Sequence, residues 1–352
     1  MTISAGGDAL NVGVIGFGKL GLLHAAILNG LPGAKLVAVA DQSSQVLKFL
    51  KSKMPDLKVY DDHHRMLREE SLGAAAIATP TGSHAQIALD CVNAGLPFMV
   101  EKPLCARASQ ALPLLEALKA RPVVNMVGYM TRHQEGFVQA RRIIASGALG
   151  RLQKFQATMY IGQLFKTGKG WRYDKEASGG GVLITQNSHL VDMLLWLFGE
   201  LEWVSGHTQS LYSEQVEDCA HAYFKFKSGL AGFLDSSWSQ RHYRTIVMGI
   251  SVQGSLGTLE VEDDGLRLFL DRAHGQWPAG WTNWRKPDLF KGVSLDIGGP
   301  YYTRQAEEFI AAVRGQGSVA SDVLSAYRTQ CAVEAIYRSA SQDGAPVSLE
   351  SF

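Results

Sequence analysis

The sequence predicts an α/β protein in two parts: an N-terminal doubly wound parallel sheet, then an α+β region built on an open, mostly antiparallel sheet. Three observations carry this. An apolar run, Val12, Val14 and Ile15, leads straight into Gly16-x-Gly18-x-x-Gly21 and a helical pattern of Leu20, Leu23, Ala26 and Ile27 that stops at Gly30. Strand and helix patterns then alternate as far as Val127. Beyond Gly128 successive strand patterns are joined mostly by turn-like segments instead of crossover helices.

In the glycine stretch, Gly16 permits the tight turn, Gly18 allows a pyrophosphate to approach the backbone, and Gly21 permits close helix–strand packing. The helix that follows offers amide donors and a partial positive charge. Phe17, Lys19 and Leu20 fill the remaining positions of this phosphate cradle. A second strand, Lys35 to Ala40, ends at Asp41, where a ribose-reading carboxylate is expected. Asp41 repels a 2′-phosphate and no Arg follows it in Gln42-Ser43-Ser44-Gln45, so NAD is favoured over NADP. The alternation continues with a helix from about Ser43 to Lys53, a strand near Val59, a helical stretch at Arg65 to Glu70 and a strand from Ala74 to Ala78 ending in Thr79-Pro80. Ser83 opens the next helix, which carries His84 in its first turn and stops at Gly95. Phe98-Met99-Val100 ends in Glu101-Lys102-Pro103, and a helix (Ser109 to Ala120) and strand (Val123 to Val127) complete a dinucleotide-binding Rossmann domain at residues 1–127. Ligands of such sheets sit outside the carboxyl ends of the strands, where the glycine turn, Asp41, Thr79, Pro80, His84, Glu101 and Lys102 all fall.

Composition narrows the partners. With 34 Lys and Arg against 33 Asp and Glu in 352 residues, the net charge of +1 gives no electrostatic reason to expect nucleic acid or an anionic membrane. Small molecules and further copies of the chain are expected instead. Cys91, Cys105, Cys219 and Cys331 are far apart and read as buried free thiols in a reducing cytoplasm. Met1 to Leu10 lacks the features of a signal peptide, and no apolar run is long enough to span a membrane, so a cytoplasmic location is expected. No metal site is expected: His63 and His64 are adjacent and read as an exposed loop or helix end.

Residues 128–352 read as a second domain. A helix around Phe137 to Ser146 precedes Leu152 to Ile161, where Phe155, Ala157, Met159 and Ile161 alternate with polar residues as in a strand covered on one face. Further strands are expected at 207–211, 220–226, 230–238, 245–253, 258–262 and 266–271, and helices at 303–314 and 321–339. Gly179-Gly180-Gly181 introduces a helix, Val182 to Phe198, so apolar that it must be buried. Thr185, Ser188, His189 and Asp192 nevertheless share one face of it. A polar stripe on a buried helix is costly unless it meets partners or lines a cavity, which makes it a candidate site.

With Gly16-x-Gly18-x-x-Gly21, Glu101-Lys102-Pro103, Ala145-Ser-Gly-Ala-Leu-Gly150 and Gly180-Gly181 followed by His189-x-x-Asp192 in this order, the sequence resembles the glucose-fructose oxidoreductase and inositol dehydrogenase (Gfo/Idh/MocA) family over nearly the whole chain. The resemblance implies hydride transfer between nicotinamide and a secondary hydroxyl or ketone of a sugar, sugar acid or cyclitol, and assembly into dimers or tetramers. It also implies a catalytic role for Lys102. The family pattern usually reads Asp-x-Gly-x-His on the buried helix; here Thr185-Gln-Asn187-Ser-His189 keeps the His and loses the Asp, leaving Asp192 as the nearby carboxylate.

Oxidising a secondary alcohol requires a positioned base for the hydroxyl proton. His189 is assigned as acid/base and Lys102 as the group that binds the reacting oxygen, with the roles exchangeable. Substrate contacts are expected from Thr185, His189 and Asp192, and from Trp171 and Arg172 in the loop from Gly162 to Ala177, which the resemblance places near nicotinamide and substrate. Tyr129 and Arg132 match a family segment that enters the active site. Trp277, Trp281 and Trp284 are expected to fill a subunit interface or to stack on a sugar face. Two other functions stay open: a redox-neutral, NAD-dependent glycoside-cleaving enzyme that oxidises, eliminates and reduces, and a non-catalytic dinucleotide-binding sensor.

Overall fold

A computed structural model describes residues 9–349, which form two compact units. Among the described residues, the first comprises 9–133 and 292–327, the second 134–291 and 328–349.

The first unit is a six-stranded parallel sheet: β1 (Leu10–Ile15), β2 (Ala34–Ala40), β3 (Lys58–Tyr60), β4 (Ala74–Ile77), β5 (Phe98–Val100) and β6 (Asn125–Val127). Their order is β3-β2-β1-β4-β5-β6, with the direction of winding reversing between β1 and β4. Val12, Val14, Ala74, Ala76, Phe98 and Val100 have no exposed surface, as central parallel strands covered on both faces require. The Lys19–Gly30 helix packs Ile27 and Leu28 into the same core.

A contiguous division at residue 127 misses the returning segment. The Pro300–Val313 helix buries Ala306, Phe309 and Ile310 in the core built by Val12, Val14 and Ile27. Three apolar residues on one helical face go where matching apolar surface exists, and sequence distance does not prevent it.

The second unit carries a nine-stranded sheet of β7 (Leu152–Tyr160), β8 (Leu201–Gln209), β9 (Cys219–Phe226), β10 (Ala231–Ser237), β11 (Val247–Gly254), β12 (Gly257–Glu262), β13 (Gly265–Leu270), β14 (Gly280–Arg285) and β15 (Val347–Ser348). The order is β14-β13-β12-β11-β7-β10-β9-β8-β15, antiparallel except where β7 and β10 pair in parallel. Phe155, Ala157 and Met159 point into the core, while Lys154 and Gln156 are exposed on the other face.

Three sequence expectations change. The strand expected at 207–211 begins six residues earlier, at Leu201. β14 lies in the Gly/Pro/Trp stretch and pairs only with β13, as an edge strand. There Trp277 is buried in the core and Trp284 packs against it, whereas Trp281 is 49% exposed beside Phe269 with the Arg267 guanidinium 4.7 Å from its ring. The helix expected from Val182 to Phe198 is two helices, Val182–Thr185 and Ser188–Phe198. The Asn187 N–H reaches back five residues to the Val182 carbonyl at 2.9 Å, widening the turn and interrupting the α-helical ladder.

Candidate active site

The glycine turn leaves the end of β1. Gly16 has φ +85°, a region costly for any side chain, and a Cβ there meets the Ala78 carbonyl oxygen at 2.8 Å. A Cβ on Gly21 overlaps the Gly16 carbonyl oxygen, while one on Gly18 faces open space. The backbone is therefore bare where a pyrophosphate must approach. Gly18 caps the Lys19–Gly30 helix without a side-chain hydrogen bond, and the first turn contains no acidic residue, so its amides and positive pole suit an anion. Asp41, at the end of β2, accepts from the Phe17 N–H at 2.6 Å and the Ser43 N–H at 2.7 Å, pinning the turn. Lys19 is exposed, and Phe17 and Leu20 are half-buried. These residues fit a dinucleotide.

At the carboxyl ends of β4 and β5, two buried histidines hold the corner Glu101-Lys102-Pro103. His24, on the first helix, places Nε2 at 2.6 Å from Glu101 Oε1, with both side chains almost wholly buried. Burial alone pushes the Glu101 pKa up, but the hydrogen bond and charge of His24, with the charges of Lys102 and His84, hold it below the usual carboxylate range. Glu101 Oε2 accepts the Lys102 N–H at 3.2 Å. Gly128 makes room for this carboxylate: a Cβ there lies 3.2 Å from both of its oxygens. His84 faces the Pro103 carbonyl with Nδ1 at 2.8 Å and the Thr79 carbonyl with Nε2 at 2.7 Å. Complete burial lowers the His84 pKa against the pull of the two carbonyls and Glu101. Thr79 Oγ1 accepts from Ser83, and Pro80 is exposed. Lys102 is half-buried.

Tyr129 and Arg132, just beyond β6, are buried, and Arg132 donates to the Ala320 carbonyl on the returning segment.

In the second unit the polar helix is anchored by a carboxylate that sequence reasoning missed. Glu217 Oε2 accepts the Gly181 N–H at 2.8 Å, and Oε1 accepts the Leu183 N–H at 2.9 Å and the Tyr337 hydroxyl at 2.8 Å. This explains the glycines: a Cβ on Gly180 strikes the Tyr337 hydroxyl, and one on Gly181 overlaps the Glu217 backbone. Burial raises the Glu217 pKa despite these donors. Thr185 donates its hydroxyl to the Gly181 carbonyl at 2.6 Å, one turn back, and so supplies no carboxylate where the family pattern has one. Asp192 is wholly buried and accepts from the Thr329 hydroxyl at 3.1 Å. His189 is 7% exposed at the start of the second helix. Beside it the Asn187 amide and the Ser188 hydroxyl are buried, and neither has a hydrogen-bond partner among the described residues.

The segment preceding this helix is tied at its base by the Gln163 and Leu164 N–H groups, which donate to the Trp238 carbonyl at 2.9 and 3.1 Å. Asp218 steadies Trp238 through its indole N–H at 2.5 Å and gathers the amides of Leu211, Tyr212 and Ser213. Trp171 and Arg172 are exposed at the far end, the guanidinium 5.6 Å from the indole centre.

Away from these groups, His63 and His64 open the His63–Glu69 helix and direct Nε2 at Asp90 Oδ2, at 2.9 and 3.8 Å; with Asp62 they place possible ligand atoms within 4.8 Å of one another. The four cysteines are buried thiols outside any disulfide. No helix among the described residues is long and apolar enough to cross a membrane.

Fold and turn together define a dinucleotide-binding α/β protein. Residues 10–129 match the model of an oxidoreductase family with an NAD-binding Rossmann fold, and residues 137–260 match the GFO/IDH/MocA C-terminal domain. The chain belongs to the GFO/IDH/MocA oxidoreductase family and is an enzyme of the dehydrogenase class. It is 29% identical over 263 residues to the scyllo-inositol 2-dehydrogenase (NAD(+)) of Bacillus subtilis, covering 70% of this chain and 73% of that protein. Levoglucosan dehydrogenase of Pseudarthrobacter phenanthrenivorans is 24% identical, with 95% and 97% covered. In fold, the chain is similar to a levoglucosan dehydrogenase solved with NADH and levoglucosan, with a TM-score of 0.87, 22% identity, and 98% and 100% coverage.

Proposed function

We propose that the protein oxidises a secondary hydroxyl, or reduces the matching ketone, of a sugar, sugar acid or cyclitol, using NAD in preference to NADP. The relatives named for inositol and levoglucosan support the substrate class. The single observation that carries the reading is the buried, doubly held Glu101-Lys102-Pro103 corner, which presents an ammonium at the same carboxyl edge of the parallel sheet as the glycine turn.

When bound, the nicotinamide supplies an acceptor or donor for one hydride. Lys102 binds the reacting oxygen through its ammonium, and His189 takes the hydroxyl proton as the C–H bond breaks; in reduction the proton returns by the same path. Thr185 donates its hydroxyl to the Gly181 carbonyl and brings no carboxylate to His189. Trp171 and Arg172 are the preferred substrate contacts, being exposed on a segment fixed at its base. Tyr129, Arg132 and Asp192 bear on the substrate less directly, since Tyr129 is buried and Arg132 and Asp192 hold groups of their own units. Asp41 underlies the NAD preference. A homo-oligomer, dimer or tetramer, in the cytoplasm completes the proposal.

The test is absorbance at 340 nm with NAD or NADP and a panel of sugars, sugar acids, cyclitols and aryl glycosides, with product analysis of the same wells. Reduction of NAD by one polyol class is expected. Lys102→Ala should lower turnover by about 10²-fold or more with NAD binding retained; unchanged turnover removes Lys102 from the mechanism. Release of aglycone without net NADH replaces this reading with the redox-neutral glycosidase, and NAD binding without turnover of any kind favours the sensor.

A further inference from the structure

We propose that His24 is a positioning residue for Lys102, acting through the Glu101 carboxylate; this rests on the assignment of Lys102 to the reaction. His24 lies 77 residues before Glu101 on the helix that follows the glycine turn, yet Nε2 meets Oε1 at 2.6 Å in an interior where the two side chains are only 3% and 6% exposed. Oε2, the other oxygen, receives the Lys102 N–H at 3.2 Å. One carboxylate therefore links an imidazole on the dinucleotide helix to the backbone from which the Lys102 side chain departs. The surroundings leave Glu101 little freedom to rotate away. Gly128 closes in from the end of β6, and Tyr302 stands edge-on to His24 with ring centres 6.1 Å apart. His84 holds the next residue of the corner, Pro103, by its carbonyl.

A buried carboxylate that loses its partner must shift or take up a proton. The shift releases the Lys102 N–H and protonation weakens Oε2 as its acceptor, and either lets the ammonium drift from its working position. Displacing a catalytic group by a fraction of an ångström lowers turnover without requiring a change in substrate binding.

The test uses the full-length enzyme and three variants. His24→Leu removes the donor. His24→Gln replaces Nε2 with an amide nitrogen of similar reach, and Glu101→Gln removes the charge while keeping the shape. Steady-state kinetics, NAD affinity by fluorescence titration, and amide hydrogen exchange over residues 100–106 are measured on each. His24→Leu is expected to lower kcat by about 30-fold. Its KM and NAD affinity should stay within about threefold of the parent, and exchange should accelerate at the Glu101, Lys102 and Leu104 amides alone. His24→Gln should recover most of both, and adding His24→Leu to Glu101→Gln should cost nothing further. If His24→Leu does not fold, His24→Asn, whose shorter amide stops short of Oε1, Glu101→Gln and their combination carry the test through the same non-additivity. Unchanged kcat and exchange in the variants overturn the proposal. So does faster exchange spread over the whole first unit, which marks the pair as general packing. If the parent enzyme turns over no polyol, the assignment of function fails, while local exchange still decides whether His24 holds the corner.

Discussion

Replacing Glu217 separates what its carboxylate holds from what its burial costs. Three donors converge on it: the Gly181 and Leu183 amides and the Tyr337 hydroxyl, at 2.8 to 2.9 Å. Glu217→Ala orphans all three in the interior, and at about 1–3 kcal/mol each, with part recovered by relaxation, the second unit should lose about 3–6 kcal/mol. Glu217→Gln keeps the shape and one acceptor and should lose less. The pH dependence supplies the sharper discrimination. Burial raises the folded-state pKa of Glu217 above its unfolded value. Its contribution is therefore fully present below the ordinary carboxylate range and declines as pH rises through the raised folded pKa, because unfolding then releases a proton. Glutamine cannot ionise, so the gap in stability between parent and Glu217→Gln should be widest at low pH and narrow as pH rises. Urea unfolding of both proteins across the range from about pH 4.5 to 8 measures it, the other carboxylates titrating alike in each. A gap that is constant or widens with pH refutes the reasoning.

Other outcomes follow from single groups. His133 is buried beside Arg132 and Arg304, and burial with these charges lowers its pKa to about 4. A depressed histidine contributes stability that is lost as pH falls, here between about 6.5 and 4, on the order of 3 kcal/mol; His133→Gln should flatten acid unfolding in that window, and an unchanged profile would exclude His133 as the cause. On the proposed preference for NAD, Asp41→Ser removes the charge that would repel a 2′-phosphate but keeps an acceptor for the Phe17 N–H, so the Kd ratio for NADP over NAD should fall about tenfold or more in fluorescence titration. Gly21→Ala drives a methyl group into the Gly16 carbonyl, and calorimetric titration should show loss of NAD binding with the second unit still folded.

The dinucleotide half was legible because its three glycines fall within six residues, straight after an apolar strand pattern, and Asp41 follows at the end of the next strand. The clamps on the site were not. His24 and Glu101 are 77 residues apart, and Glu217 reaches Tyr337 across 120, so neither pair leaves a local periodicity. A lone histidine three residues after Gly21, on the buried face of its helix, was the available signal for the first. For the second it was the triple glycine, whose demand for space pointed to a partner without naming it. The break at Gln186 and Asn187 was hidden because the apolar pattern runs through it, and the cause is a backbone bond to Val182. β14 was hidden for the opposite reason: an edge strand with alternating half-exposed residues and a glycine start carries little apolar pattern.

The returning segment sets a timetable for synthesis. The first unit draws residues 292–327 into its fold, including the Phe309 and Ile310 side chains that fill its core, so the nucleotide half is still incomplete when residue 133 leaves the ribosome. At about 5–20 residues per second, roughly 10 to 40 s pass before those side chains are made. During that interval the apolar face they will cover lies open to water and to chaperones, while residues 134–291 are being produced. A fragment ending at residue 133 freezes the protein at that moment and should aggregate, and a peptide spanning residues 292–327 supplied with it should restore solubility.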